Sequence, residues 1–163
     1  MAINKAKKSE IYSHLQEIAK GEGSRVFVSF HGLTVSEVTA LRRALLAEDV
    51  RYFVSKKTLA KKAFSEVGVE GEIPELPGEL AIAYGKDAIA PAREVQKFQK
   101  TMKEKLSIVG GVFEHRFVGA AEMAVIASIP TRQVLYGQFV NLINSPIQGL
   151  VVALNGIAEK KGA

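Results

Sequence analysis

The 163-residue chain contains no cysteine. That excludes a disulfide scaffold, a zinc ribbon, an iron–sulfur centre and a thiol nucleophile together. Histidine occurs only at 14, 31 and 115, too sparsely for a histidine metal site. There is no G-x-x-x-x-G-K-[ST] loop, no G-x-G-x-x-G fingerprint and no serine nucleophile elbow. Gly21-Glu22-Gly23 lacks the third glycine and follows a helical pattern instead of a strand. Glu70, Glu72, Glu75 and Glu79 lie among prolines, where solvation accounts for them. The expectation is a non-enzyme with no metal, no cofactor and no small-molecule substrate. Met1–Lys5 has no apolar stretch behind its charge, so no signal peptide is expected and the cytoplasm is the expected compartment.

Charge is unevenly spent. The chain carries a net +5, and a basic soluble chain has nucleic acid as its first partner to consider. Residues 1–67 hold 12 Lys and Arg against 7 Asp and Glu, so the whole excess lies there. From Gln133 to Ala158 there is no charged residue at all. A basic head is followed by an uncharged, apolar tail.

The head reads as alternating helices and strands. Lys5–Ala19 has helical apolar spacing at Ile11, Leu15, Ile18 and Ala19. Arg25–Phe30 is a β-rich run. Thr34-Val35-Ser36-Glu37 is a capping box, opening a helix to about Ala47 with Val38, Leu41 and Leu45 inward. Arg51–Val54 is a second strand, after which Ser55 is expected to cap a basic helix through Leu59, Ala63 and Val67. A loop spans 68–79. Leu80–Tyr84 is a third strand, and Asp87 is expected to cap a helix with Pro91 in its first turn, running to about Lys105. A fourth strand starts at Leu106, where Gly110-Gly111 suggests a bulge or a close backbone approach, and resumes at Val112-Phe113. His115-Arg116 is expected as a turn, Ala121–Ala127 as a short helix ended before Pro130. The expected fold class is α+β: a two-layer α/β head over 1–128 with a four-stranded sheet, a spacing that suits a ferredoxin-like arrangement, then a long C-terminal amphipathic helix over 129–163.

In that tail, Leu135, Phe139, Leu142, Ile143, Ile147, Leu150, Val151, Leu154 and Ile157 make one helical stripe. Gln138, Asn141, Ser145, Gln148 and Asn155 lie mostly on the other side. Thirty helical residues span about 45 Å, against a radius of gyration near ~14 Å for a head of this size. Phe139–Asn144 matches Leu150–Asn155 at an offset of eleven, close to three helical turns, so both copies present the same face. The physical reading is a duplicated docking surface, with a kink expected at Pro146. A membrane span has the length, but six Asn and Gln residues and Pro146 argue against it.

Three basic clusters mark the head: Lys5, Lys7 and Lys8; Arg42 and Arg43; Lys56, Lys57, Lys61 and Lys62. A charge run alone is more often a solvated face, but three of them in the region holding all the excess charge point to RNA or DNA phosphates. Lys97, Lys100, Lys103 and Lys105, diluted by Glu94 and Glu104, read as a solvated face. No aromatic-rich platform is visible, so structured RNA fits better than a stacked single strand. His31 beside Gly32 reads as a loop histidine packed near a strand end.

Phe30-His31-Gly32-Leu33-Thr34-Val35, Leu41–Leu45, Val54–Leu59, Ile108–Phe113, Ile129-Pro130-Thr131 and Ser145–Val151 occur in order along nearly the whole chain. This set resembles the bacterial ribosomal stalk-base family, the tenth of the large-subunit series. The resemblance implies a cytoplasmic ribosomal protein whose α/β head binds large-subunit rRNA beside another stalk-base ribosomal protein. It implies a C-terminal helix that docks dimers of the acidic stalk protein, which recruit translational GTPases; some members also repress their own messenger RNA. Carried over by position, the family's motifs give Arg42, Arg43, Lys56, Lys57 and Thr58; with Lys5, Lys7, Lys8 and Lys61 of the basic clusters these are the expected rRNA-binding residues, and the nine stripe residues are expected to take the partner. The family's Lys-Asn-Thr-Leu motif falls on Lys56–Leu59, with Lys57 where an Asn is usual. That exchanges a donor and acceptor for a donor-only cation, which still suits phosphate. The repeat, with the chain stopping soon after Ile157, leads to an expectation of two dimers. The competing reading is a small RNA-binding regulator whose apolar tail self-associates.

Overall fold

The computed structural model describes residues 5–21, 23–71, 74–102 and 105–162. The side chain of Lys5, and Glu22, Glu72, Lys103 and Glu104, lie outside the described residues. The chain divides into two units, residues 1–129 and 130–163.

In the first unit the elements are α1 (Lys5–Lys20), β1 (Arg25–Phe30), α2 (Val35–Ala47), β2 (Val50–Ser55), α3 (Lys57–Glu66), β3 (Glu79–Gly85), α4 (Ala90–Thr101), β4 (Leu106–Phe113), β5 (Arg116–Gly119) and α5 (Ala120–Ala127). The sheet order is β2-β3-β1-β4-β5, antiparallel throughout. The α+β class expected from the sequence holds. The first four strands take the order of a ferredoxin-like sheet, with α3 added between β2 and β3.

Side chains alternate across the strands, so β1 feeds two cores. Val26 and Val28 pack with Leu41 and Leu45 of α2, Val95 of α4 and Met123 of α5. Phe27 faces the other way, against Leu15 of α1 and Phe64 of α3, its ring edge-on to Phe64 at 5.1 Å. Helices therefore cover both faces, α2, α4 and α5 on one and α1 and α3 on the other, so a third layer joins the two expected.

The glycine pair marks both a bulge, one residue before it, and a close backbone approach. The β1–β4 register slips between Phe27 and Val28, leaving Val109 as the extra residue. The slip inverts the alternation along β4. Leu106 and Ile108 face the α2 side, whereas Val112 faces α1 and α3. Gly111 has no room for a side chain: a Cβ there would strike the Arg25 carbonyl oxygen and come within 2.5 Å of Met123 Cε.

Four expectations need correction. A fifth strand, β5, joins the four expected. Glu114 and His115 both take left-handed φ, 48° and 63°, making the tight turn that pairs Phe113 with Arg116. Neither is the Gly or Asn such turns favour, so nothing in the composition announces the hairpin. Ser55 does not cap α3. Its pairing with Leu80 keeps it in β2, and Lys56 takes the cap position with no side-chain hydrogen bond. Asp87 does not cap α4; Ile89 does, although Pro91 stands in the first turn as expected. That helix ends at Thr101 instead of Lys105, because Leu106 is already paired with Phe30.

The capping box of α2 is present in full. Thr34 Oγ1 accepts from the Glu37 N–H at 3.4 Å, and Glu37 Oε2 accepts from the Thr34 N–H at 2.7 Å. Lys105 Nζ reaches Glu37 Oε1 at 2.7 Å, tying α2 to the start of β4. The Lys105 contact first, then the Thr34 backbone and hydroxyl, hold the Glu37 carboxyl down from 4.5 to about 2. A folded-state value below the unfolded one gives stability that is complete above the usual value and fades as pH falls towards the depressed one. The melting temperature is therefore expected to drop between about pH 4.5 and 2, and less steeply in Glu37→Gln. Parallel decline of both proteins in a thermal melt series would remove this carboxylate as the cause.

In the second unit, α6 (Arg132–Lys161) is one helix of 30 residues, capped by Thr131 Oγ1, which accepts from the Val134 N–H at 3.4 Å. It runs on through Pro146.

Candidate nucleic-acid interface and partner-binding helix

The start of α3 is chemically bare. No side chain caps it, and Leu59 and Ala60 are the first residues whose N–H groups find a helical carbonyl, that of Lys56 at 3.1 Å. The N–H groups of Lys57 and Thr58 stand in the first turn, where an α-helix leaves its donors unpaired and its dipole positive. Such an end takes anions readily. Lys56, Lys57 and Thr58 are all exposed and line one cavity of about 550 Å³, with Ile11 of α1 and Glu79 of β3. The Ser55 hydroxyl, in the same wall, is buried without a hydrogen-bond partner among the described residues.

The other expected cations divide between the two faces of the sheet. Lys61 is exposed one turn along α3 from Lys57. Lys7 and Lys8 are exposed on α1, one turn before Ile11, so they share its side of the helix. Arg42 and Arg43 are exposed on α2, in the opposite layer. Arg42 is close enough to Tyr52 of β2 to offset part of the upward push that burial gives its phenol, which rises to about 12. The edge strand β2 is thus the meeting line: Arg42 flanks it on one face, and Ser55–Thr58 close its end. Pattern reading found Lys56–Thr58 but missed Ser55 as a wall residue and Ile11 as a floor, because both depend on α1 packing on α3. His31 is exposed, and its ring lies where a Cβ on Gly78 would stand, so only glycine fits there.

All nine stripe residues of α6 are exposed, from 40% for Leu135 to 71% for Leu142. Val134, Tyr136, Val140 and Val152 are exposed as well, beyond the stripe that the periodicity outlined. By length and composition alone α6 also meets the test for a membrane span. Among the described residues no cluster of His, Asp and Glu could hold a metal ion.

The first unit thus carries a bare helix start among exposed cations, and α6 exposes apolar side chains along a stretch, Gln133 to Ala158, that holds no charge. Comparison with known proteins gives the class: a ribosomal protein, structural and not enzymatic. The family model of ribosomal protein L10 matches residues 3–100. The large ribosomal subunit protein uL10 of Pelotomaculum thermopropionicum is 34% identical over 160 residues, covering 98% of this chain and 91% of that one. Those of Shouchella clausii and Staphylococcus epidermidis are 34% and 33% identical, covering 94% and 98% of this chain and 93% and 96% of theirs. The chain belongs to the ribosomal protein L10 family, and its place is the large subunit of the cytoplasmic bacterial ribosome.

Proposed function

We propose that the first unit binds large-subunit rRNA through the start of α3 and its cavity, and that α6 carries two dimers of the acidic stalk protein, supporting recruitment of translational GTPases. The observation that carries the RNA half is the uncapped first turn of α3, flanked by Lys56, Lys57 and the Thr58 hydroxyl. A phosphate there meets backbone N–H donors, a hydroxyl and two cations in one place. The partner half rests on nine exposed apolar side chains along a helix with no charge between Gln133 and Ala158, and the number of dimers rests on the eleven-residue repeat. An exposed face of this kind marks a partner.

Titrating the full chain with a stalk-base fragment of its own large-subunit rRNA at several salt concentrations tests the RNA half. Log affinity is expected to fall linearly with log salt, with a slope of several units as several phosphates are neutralised. A flat line would refute it.

A further inference from the structure

A second cavity, of about 840 Å³, lies at the other end of β2, beside the C-terminal half of α1, Gly21, Gly23, Ser24, the start of β1 and the end of β3. It shares no lining residue with the cavity at the α3 start. Arg25, only 3% exposed, lines it. Its Nε donates to the Ile18 carbonyl at 2.8 Å, fixing the side chain against the last turn of α1. Its Nη2 is buried and has no hydrogen-bond partner among the described residues. Ser24, 2% exposed, lines the same cavity with a hydroxyl that is likewise buried and unpartnered.

A guanidinium keeps its proton in proteins, so burial cannot be relieved by neutralising it, and a buried charge without a counter-ion is costly. An oxyanion suits both atoms: it accepts from Nη2 and from the Ser24 hydroxyl, and it places a negative charge beside the guanidinium. Arg51 and Lys86 in the same lining add positive charge, opposed by Glu17 and Asp49. The cavity exceeds the needs of an oxyanion alone and falls among the volumes of small-molecule sites, roughly 300–1,000 Å³. The rings of His14 and Tyr84, 6.5 Å apart and nearly perpendicular, stand in the wall and offer an aromatic surface to a base.

We propose that this cavity binds the phosphate group of a nucleotide, with Arg25 and Ser24 as its donors. The nucleotide comes either free or as a unit of an RNA strand, and the two sources are separable. The full-length, ¹⁵N-labelled chain is titrated in turn with inorganic phosphate, AMP and single-stranded oligoadenylate, and amide shifts are followed by NMR. AMP is expected to move the amides of Gly21, Gly23, Ser24 and Gly85, and to bind more tightly than inorganic phosphate. Arg25→Met should weaken AMP binding by about tenfold, the worth of one charge-assisted hydrogen bond. Because Arg25 also anchors α1, Arg51→Ala repeats the test without touching that anchor and should weaken binding severalfold. Shifts at these amides with AMP assign a free nucleotide, and shifts with oligoadenylate alone assign RNA; both uphold the site. No movement of these amides with any of the three at millimolar concentration overturns the proposal. So does equal affinity in wild type and both variants, or inorganic phosphate binding as tightly as AMP.

Discussion

Replacing Phe139 and Leu150 together by aspartate is expected to release the acidic stalk protein while leaving RNA affinity unchanged. The two residues occupy equivalent places in the eleven-residue repeat, and both are 62% exposed on α6. Each contributes an apolar side chain that a partner must bury to bind. Removing such an anchor costs about 2 kcal/mol or more at an interface centre. An aspartate in its place must be desolvated without a cation, and the partner is itself acidic, so repulsion adds to the loss. Two such changes should weaken docking by about a thousandfold or more. Exposed positions on a helix accept the substitutions, so the circular dichroism of the variant should match that of the parent. Pull-down of the acidic protein by the double variant at wild-type yield would show that the stripe is not the dock.

Reversing Lys56 and Lys57 to glutamate should weaken binding of the rRNA fragment by about a hundredfold, since each charge-assisted contact contributes about 1.5 kcal/mol or more. The slope of log affinity against log salt should become shallower by about two units, one for each lost phosphate contact. Both side chains are exposed and neither makes a hydrogen bond that holds the fold, so stability should barely change. Reversal of Arg42, in the α2 layer, discriminates how far the interface wraps around the β2 edge. A hundredfold loss at α3 with none at Arg42 confines the RNA to one face. Unchanged affinity and slope in the α3 variant would remove the start of that helix from the interface.

The sequence made the local features legible and left the collective ones hidden. The α2 capping box, β1 and the β4 bulge each rest on a few adjacent residues with strong preferences, and each stands at or beside the place the pattern marks, the bulge one residue before its glycine pair. β5 follows a turn built from Glu114 and His115, neither of them the Gly or Asn that marks a hairpin, so the turn before its four residues carried no usable signal. Ser55 looks like a cap because serine favours that position; pairing across to Leu80 overrides the preference. The same limit applies to the sites. Lys56, Lys57 and Thr58 are adjacent in sequence and easily grouped. Arg25 opens a strand, and its burial to 3% exposure, with Nε held on the Ile18 carbonyl of α1, emerges only from the assembled head. The nine stripe residues were readable because helical periodicity is itself local, and because the missing charge between Gln133 and Ala158 needs no structure to be seen.

As proposed, this member of the L10 family joins RNA at its head to two acidic dimers on α6. Native mass spectrometry of the chain co-expressed with the acidic stalk protein of its own organism, with the rRNA fragment added, tests it most directly. One chain, four acidic copies and one RNA are expected in a single complex, with loss of the acidic copies alone in the Phe139→Asp, Leu150→Asp variant. Six acidic copies would contradict the reading of the repeat. Self-oligomers of the chain that bind RNA but no acidic protein would contradict the account of α6 and turn it into a self-association helix.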